Sequence, residues 1–210
     1  EEFFMNEQFK RFGIDLKTSY TKITNHQAGK VLEDTILNLM NNTFNVIVYN
    51  FVDMLSHART EMEVLKELAS DEAAYRSLTM SWFDHSPLFN AIQKLKEKKV
   101  RIIISSDHGT MRVQNPSKII GDKATTTNLR YKTGKNLNFN EKEVFYIKNP
   151  EEAFLPKSNL SSSYVFAKED YYFCYPNNYN HFVNYYKDTY QHGGISLEEV
   201  IIPISILEPK

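Results

Sequence analysis

The sequence predicts an α/β fold in which a central, mostly parallel sheet is flanked by helices. Three observations predict it. Two short apolar, β-branched segments, 44–51 (FNVIVYNF) and 100–105 (VRIIIS), have the character of strands buried on both faces. The stretch between them carries helical patterning. Further strand-like segments follow, and strands alternating with helices imply a sheet with parallel members.

Taken in order, residues 5–12 read as a helix, and 14–23 (IDLKTSYTKI) alternate enough to be a strand. A helix then starts from Asn25, a suitable N-cap, with Ala28, Val31, Leu32, Ile36, Leu39 and Met40 on one apolar stripe. After the strand at 44–51, a long helical region covers about 60–99, and Pro87 after Ser86 restarts or kinks it, since proline is tolerated at a first helical position. Beyond the strand at 100–105, residues 110–142 are rich in Lys, Thr, Asn and Gly and read as a long loop. Strands are expected at 143–148, 163–168 and 170–175, with a short helix from Asn149-Pro150. The chain closes with a strand over 199–207, where Pro203 argues for an edge or a bulge. No repeat, low-complexity segment or Gly/Ser linker divides the chain, so residues 1–210 read as a single domain.

Composition narrows the classes of function. At 41% hydrophobic and 24% charged residues the chain fits a globular protein and not a disordered one. A formal net charge of -1 supplies no global attraction to nucleic acid or membrane, so any electrostatic site must be local. One cysteine, Cys174, rules out an internal disulfide framework and fits a reducing, cytoplasmic setting. No apolar run approaches the roughly 20 residues that span a bilayer. The N-terminus lacks the basic and apolar regions of a signal peptide, and without an initiator Met the chain reads as a piece of something longer.

In open α/β sheets, ligands gather beyond the carboxyl ends of the strands. Segment 44–51 runs into Asp53 and His57, and segment 100–105 runs into Ser106-Asp107-His108-Gly109. Each places a carboxylate and an imidazole where burial is costly without compensation, and a divalent metal is such a compensation. Asp and His together suit zinc, or manganese, better than calcium or magnesium. Gly109 breaks the strand so that neighbouring ligands can turn toward one ion. Gln191-His192-Gly193-Gly194 is the third element, in a loop whose glycines allow close backbone approach. Each motif alone is ordinary; their conjunction is not.

SDHG after an apolar strand, D-x3-H after an earlier one and HGG before a C-terminal strand together resemble the alkaline phosphatase superfamily. The stretch 192–203 (HGGISLEEVIIP) resembles the PglZ domain in particular. The whole chain, including 45–59 and 105–110, is similar to the C-terminal part of PorX-type response regulators, a family that joins a receiver to a PglZ domain and controls the type IX secretion system of Bacteroidetes. This resemblance implies an alkaline phosphatase-like fold with its N-terminal strand or strands missing, and two metals, usually zinc. Asp53, His57 and His192 would hold the first, Asp107 and His108 the second. The second metal also receives an upstream Asp and a Thr or Ser nucleophile at the end of the first strand. Neither has a counterpart here, and the receiver is absent too, so no catalytic residue is expected within the chain, which on its own is expected to be inactive, to self-associate, or to fill its second site weakly. For the intact protein the resemblance implies a phosphodiesterase or phosphatase acting on nucleotide or oligonucleotide phosphodiesters, a homodimer, partners in secretion control and no membrane association.

Other candidates stand beside these. Lys123, Arg130, Lys132 and Lys135 lie between hydroxyl and aromatic residues and form either a solvated mobile loop or a basic lip that holds a phosphate or a nucleotide chain. Tyr131 could stack on a base. Ser105, Ser106 and Thr125, Thr126 and Thr127 are weak nucleophile candidates. His26, His85 and His181 have no partner pattern, and Asp84 near Trp82 reads as structural. The competing function is a non-catalytic signalling or protein-interaction module with a structural zinc site; a nucleic-acid binder without catalysis is a third.

Overall fold

The computed structural model describes residues 1–122, 125–157, 159 and 161–209. The chain divides into two compact units, Glu1–Ile102 with Ile206–Lys210, and Ile103–Ser205. The first contains α1 (Glu2–Arg11), β1 (Thr18–Ile23), α2 (His26–Thr35), β2 (Phe44–Tyr49), α3 (Phe51–Glu61), α4 (Glu63–Leu68), α5 (Glu72–Asp84) and α6 (Pro87–Lys96). There follow β3 (Ile102–Ser105), β4 (Met111–Arg112), β5 (Asn115–Lys118), β6 (Tyr131–Gly134), β7 (Val144–Ile147), β8 (Ser163–Ala167), β9 (Tyr171–Cys174), α7 (Tyr179–Tyr186), β10 (Tyr190–Gln191), α8 (Leu197–Val200) and β11 (Ile204–Leu207).

In the first unit, β1 and β2 pair in parallel from Thr18↔Phe44 to Ile23↔Tyr49. Asn25 caps α2 as its side chain accepts from Ala28 N at 2.8 Å. Ile23, Leu32, Ile36 and Ala91 form the buried core, with Ile47, Tyr49 and Leu95 packed against it. Gly29 lets α2 approach β2: a Cβ there would fall 2.3 Å from Tyr49 Oη. The expected long helix is four helices, and it starts earlier, at Phe51. Its breaks have local causes. Met62 is extended at φ -113 and ψ 115, while Asp71 and Ser86 leave the helix to cap α5 and α6, accepting from Ala74 N and Phe89 N.

Among the described residues of the second unit, two small cores are formed. Ile119, Val144, Val165, Ala167 and Phe173 make one. Val113, Tyr172 and Cys174 make the other, under the aromatic face of α7. β5 pairs with β9 in parallel, and β6, β8 and β7 form an antiparallel sheet. The expected loop at 110–142 therefore contains β4, β5 and β6. The closing strand is shorter than expected, because the Ser196–Glu199 capping box starts α8 where extended chain was predicted. The fold is α/β, yet the described residues form strand pairs and one three-stranded sheet. A single central parallel sheet is not assembled among them, since the apolar residues are shared out over separate cores. No helix among the described residues is long and apolar enough to cross a membrane.

Candidate metal centre

Asp53 and His57 do not sit in a loop past the strand. Both ride on α3, which begins two residues after β2, and their i,i+4 spacing brings His57 Nε2 to 3.6 Å from Asp53 Oδ1. The helix is held by its other side. Leu55, Ser56, Arg59 and Thr60 are buried, Ser56 Oγ lies 2.7 Å from Tyr75 Oη, and Arg59 Nε donates to Ala69 O at 2.6 Å. His57 and Asp53 keep 69% and 40% of their side-chain surface in solvent, which leaves them accessible to an ion.

The second unit brings two histidines together. β4 and β10 pair antiparallel, with Met111 opposite Gln191. In that register the residues just before β4 meet those just after β10, which is where His108 and His192 stand. Their rings stack at a centroid distance of 4.0 Å with 12° between planes. Asp107 Oδ1 lies 3.8 Å from Nε2 of the adjacent His108, and its side chain is 91% exposed. Gly109 allows the close passage: its N donates to Glu199 O at 2.8 Å, and a Cβ would fall 2.0 Å from Glu198 O. Gly193, at φ +100, supplies the left-handed turn after His192.

Beneath this pair lies a buried ion pair. Arg130 Nε and Nη2 each donate at 2.9 Å to the two oxygens of Glu199, and both side chains are excluded from solvent. Burial pushes the Glu199 carboxyl up, but the Arg130 hydrogen bonds and charge, with Ser196 and Gly194, outweigh it and hold the group below the usual carboxylate range.

The basic lip is thereby corrected for two of its members. Arg130 is committed to Glu199 inside the unit. Lys132 is buried too, its Nζ 4.8 Å from the Tyr175 ring centroid, and burial lowers its amine to about 8. Lys135 is exposed, as a lip residue would be, and Lys123 lies outside the described residues. The alternation of β6 explains the split: successive side chains face opposite sides, and Lys132 takes the inward one. Three of the candidate hydroxyls are engaged with the main chain. Ser105 Oγ donates to Pro203 O at 2.9 Å, Ser106 Oγ to His108 O, Thr126 Oγ1 accepts from Thr133 N, and Thr125 is buried. His85 Nδ1 lies 2.7 Å from Ser81 O and His181 stacks on Tyr185, both local roles. Glu199 and Asn128 were not singled out from the sequence. The S-x-x-E spacing of a capping box was the available signal for Glu199.

The donor set suits a divalent ion: carboxylates and imidazoles, partly or largely exposed, on elements held by buried neighbours. Residues 4–206 match the family described as the BREX system PglZ alkaline phosphatase-like domain. The chain belongs to the PglZ family. No curated protein matches it. The alkaline phosphatase-like domain implies an α/β fold and suggests a phosphoesterase type of function, and members of that superfamily typically bind metal ions. The match spans both Asp53–His57 and Asp107–His192.

Proposed function

We propose that this PglZ domain carries the metal-binding part of a phosphodiesterase or phosphatase site. Asp53, His57 and His192 would hold one ion, Asp107 and His108 a second, zinc before manganese. The observation that carries the reading is the packing of His192 against His108 on a loop pair built for close approach, within a chain whose family match names a phosphatase-like domain. Paired divalent ions, when bound, stabilise the attacking and leaving oxygens of an in-line phosphoryl displacement. The chain's own contribution is to present its imidazoles as ligands, and its carboxylates offset the ions' charge.

Nucleotide phosphodiesters are the favoured substrates, because Tyr131 stands beside the metal loop: a Cβ at Gly193 would fall 3.1 Å from Tyr131 Cδ1. Phe166 and Tyr164 continue the same face of the antiparallel sheet, with ring centroids 6.2 and 6.1 Å apart in succession. Exposed Lys135 at the end of β6 could meet a phosphate. A receiver-linked, secretion-regulating role, with a homodimer and protein partners in the cytoplasm, belongs to the same proposal and rests on the sequence resemblance alone.

Chromogenic phosphodiester and phosphomonoester hydrolysis by the protein, with and without added zinc, tests the proposal. Zinc-dependent turnover is expected, with the diester preferred. Metal-loaded protein that hydrolyses neither substrate would favour the non-catalytic signalling module.

A further inference from the structure

We infer that Glu199 and Arg130 are the positioning residues of this site, holding the His108 loop and the His192 loop in register. The inference deepens the metal-centre proposal and rests on it. The Glu199 carboxylate accepts five hydrogen bonds: Gly194 N at 2.9 Å, Ser196 N at 3.1 Å, Ser196 Oγ at 2.8 Å, and Arg130 Nε and Nη2 at 2.9 Å each. Three of these come from the loop that follows His192. The carbonyl oxygen of the same residue accepts Gly109 N at 2.8 Å, next to His108. Glu199 thus holds one loop by its side chain and the other by its backbone.

Arg130 extends the clamp. Its Nη1 donates to Tyr171 O, which anchors the guanidinium to the β5–β9 pair. Its backbone N donates to Asn128 Oδ1 at 2.7 Å, and Asn128 Nδ2 donates to His192 O at 3.3 Å. The carbonyl of the proposed ligand is therefore reached from the Arg130 side as well.

Energetics separate positioning from plain stabilisation. Desolvating two charges is expensive, and replacing a buried ion pair by apolar side chains is often neutral or stabilising. An apolar pair could fill this space, but it could not orient three donors of the His192 loop. A planar guanidinium against a carboxylate also fixes direction, which an apolar contact does not.

The double variant Arg130→Met/Glu199→Leu tests this, with Ser196→Ala as a milder partner that removes one donor to the carboxylate. Circular dichroism and urea unfolding report the fold. Zinc affinity is read by competition with a chromophoric chelator. In metal-free protein, the imidazole C–H resonances of His108 and His192 report the stacked rings through their mutual ring-current shift. The double variant is expected to stay folded, lose roughly 10–100-fold in zinc affinity, and lose the ring-current shift. Ser196→Ala should move both readouts the same way by less, and it decides the matter if the double variant fails to fold. Folded variants with wild-type zinc affinity and unshifted histidine resonances would overturn the inference. If the unsubstituted chain takes up no zinc, the metal-centre proposal falls, and the imidazole shifts still decide the positioning claim.

Discussion

Two pairs of candidate ligands come together by different means. Asp53 and His57 need only one turn of α3: the i,i+4 spacing brings them to 3.6 Å, and both remain open to solvent. His108 and His192 are far apart in the chain and meet only because β4 pairs with β10 and Glu199 fastens both loops. One group is local geometry and the other is tertiary structure. A local pair can be altered with little effect on the fold. A tertiary pair cannot be separated from the buried charges that hold it.

That contrast can be broken most sharply at Arg130. Arg130→Met leaves the Glu199 carboxylate buried without its partner, and a loss of about 3–5 kcal/mol in urea unfolding is expected; a loss below about 1 kcal/mol would mean the ion pair matters little. Gly109→Ala comes next. Its methyl would meet Glu198 O at 2.0 Å, a main-chain atom that cannot swing aside, so about 2–3 kcal/mol should be lost, along with the His108–His192 ring-current shift.

Lys132 makes the opposite prediction within the same unit. Burial lowers its amine from 10.5 to about 8. Between those values the unfolded chain binds more protons than the folded one, so stability rises with pH across that window, and below it the full penalty is present. Lys132→Met should therefore stabilise the protein by about 1–2 kcal/mol at pH 7, part of the gain being offset by the lost contact with Tyr175. The gain should fade as pH climbs toward 10.5. Denaturation midpoints at a series of pH values check the sign. The smallest stability effect is expected at Asp53→Asn and His57→Ala, within about 0.5 kcal/mol, while zinc titration should show a marked loss of affinity. Equal destabilisation at both pairs would erase the distinction.

What could be read from the sequence follows the same division. The α/β class, the cap at Asn25, the helix restart at Pro87, and the strands at β2, β7, β8 and β9 were all legible, because each depends on residues close together in the chain. The three ligand motifs were visible as residue types. The start of α3 was not, since the apolar run at 44–51 hid the change from strand to helix, and with it the helical placement of Asp53 and His57. The fates of Arg130 and Lys132 were also hidden. Charged residues in a Lys- and Thr-rich segment suggest solvent, and only the partner Glu199, distant in sequence, shows why a guanidinium could be taken inside. The single central sheet was inferred from alternation alone, which cannot say how many separate cores the strands will cover.

Glu199 grips Gly194 with its side chain and Gly109 with its main chain, so the stretch from one to the other acts as a ruler. Ile195, Leu197 and Glu198 face solvent and are free to change in kind. Their number is not free, because one added residue would carry the carboxylate past the amides it serves. Within the family, this segment should tolerate drift in composition and resist insertion.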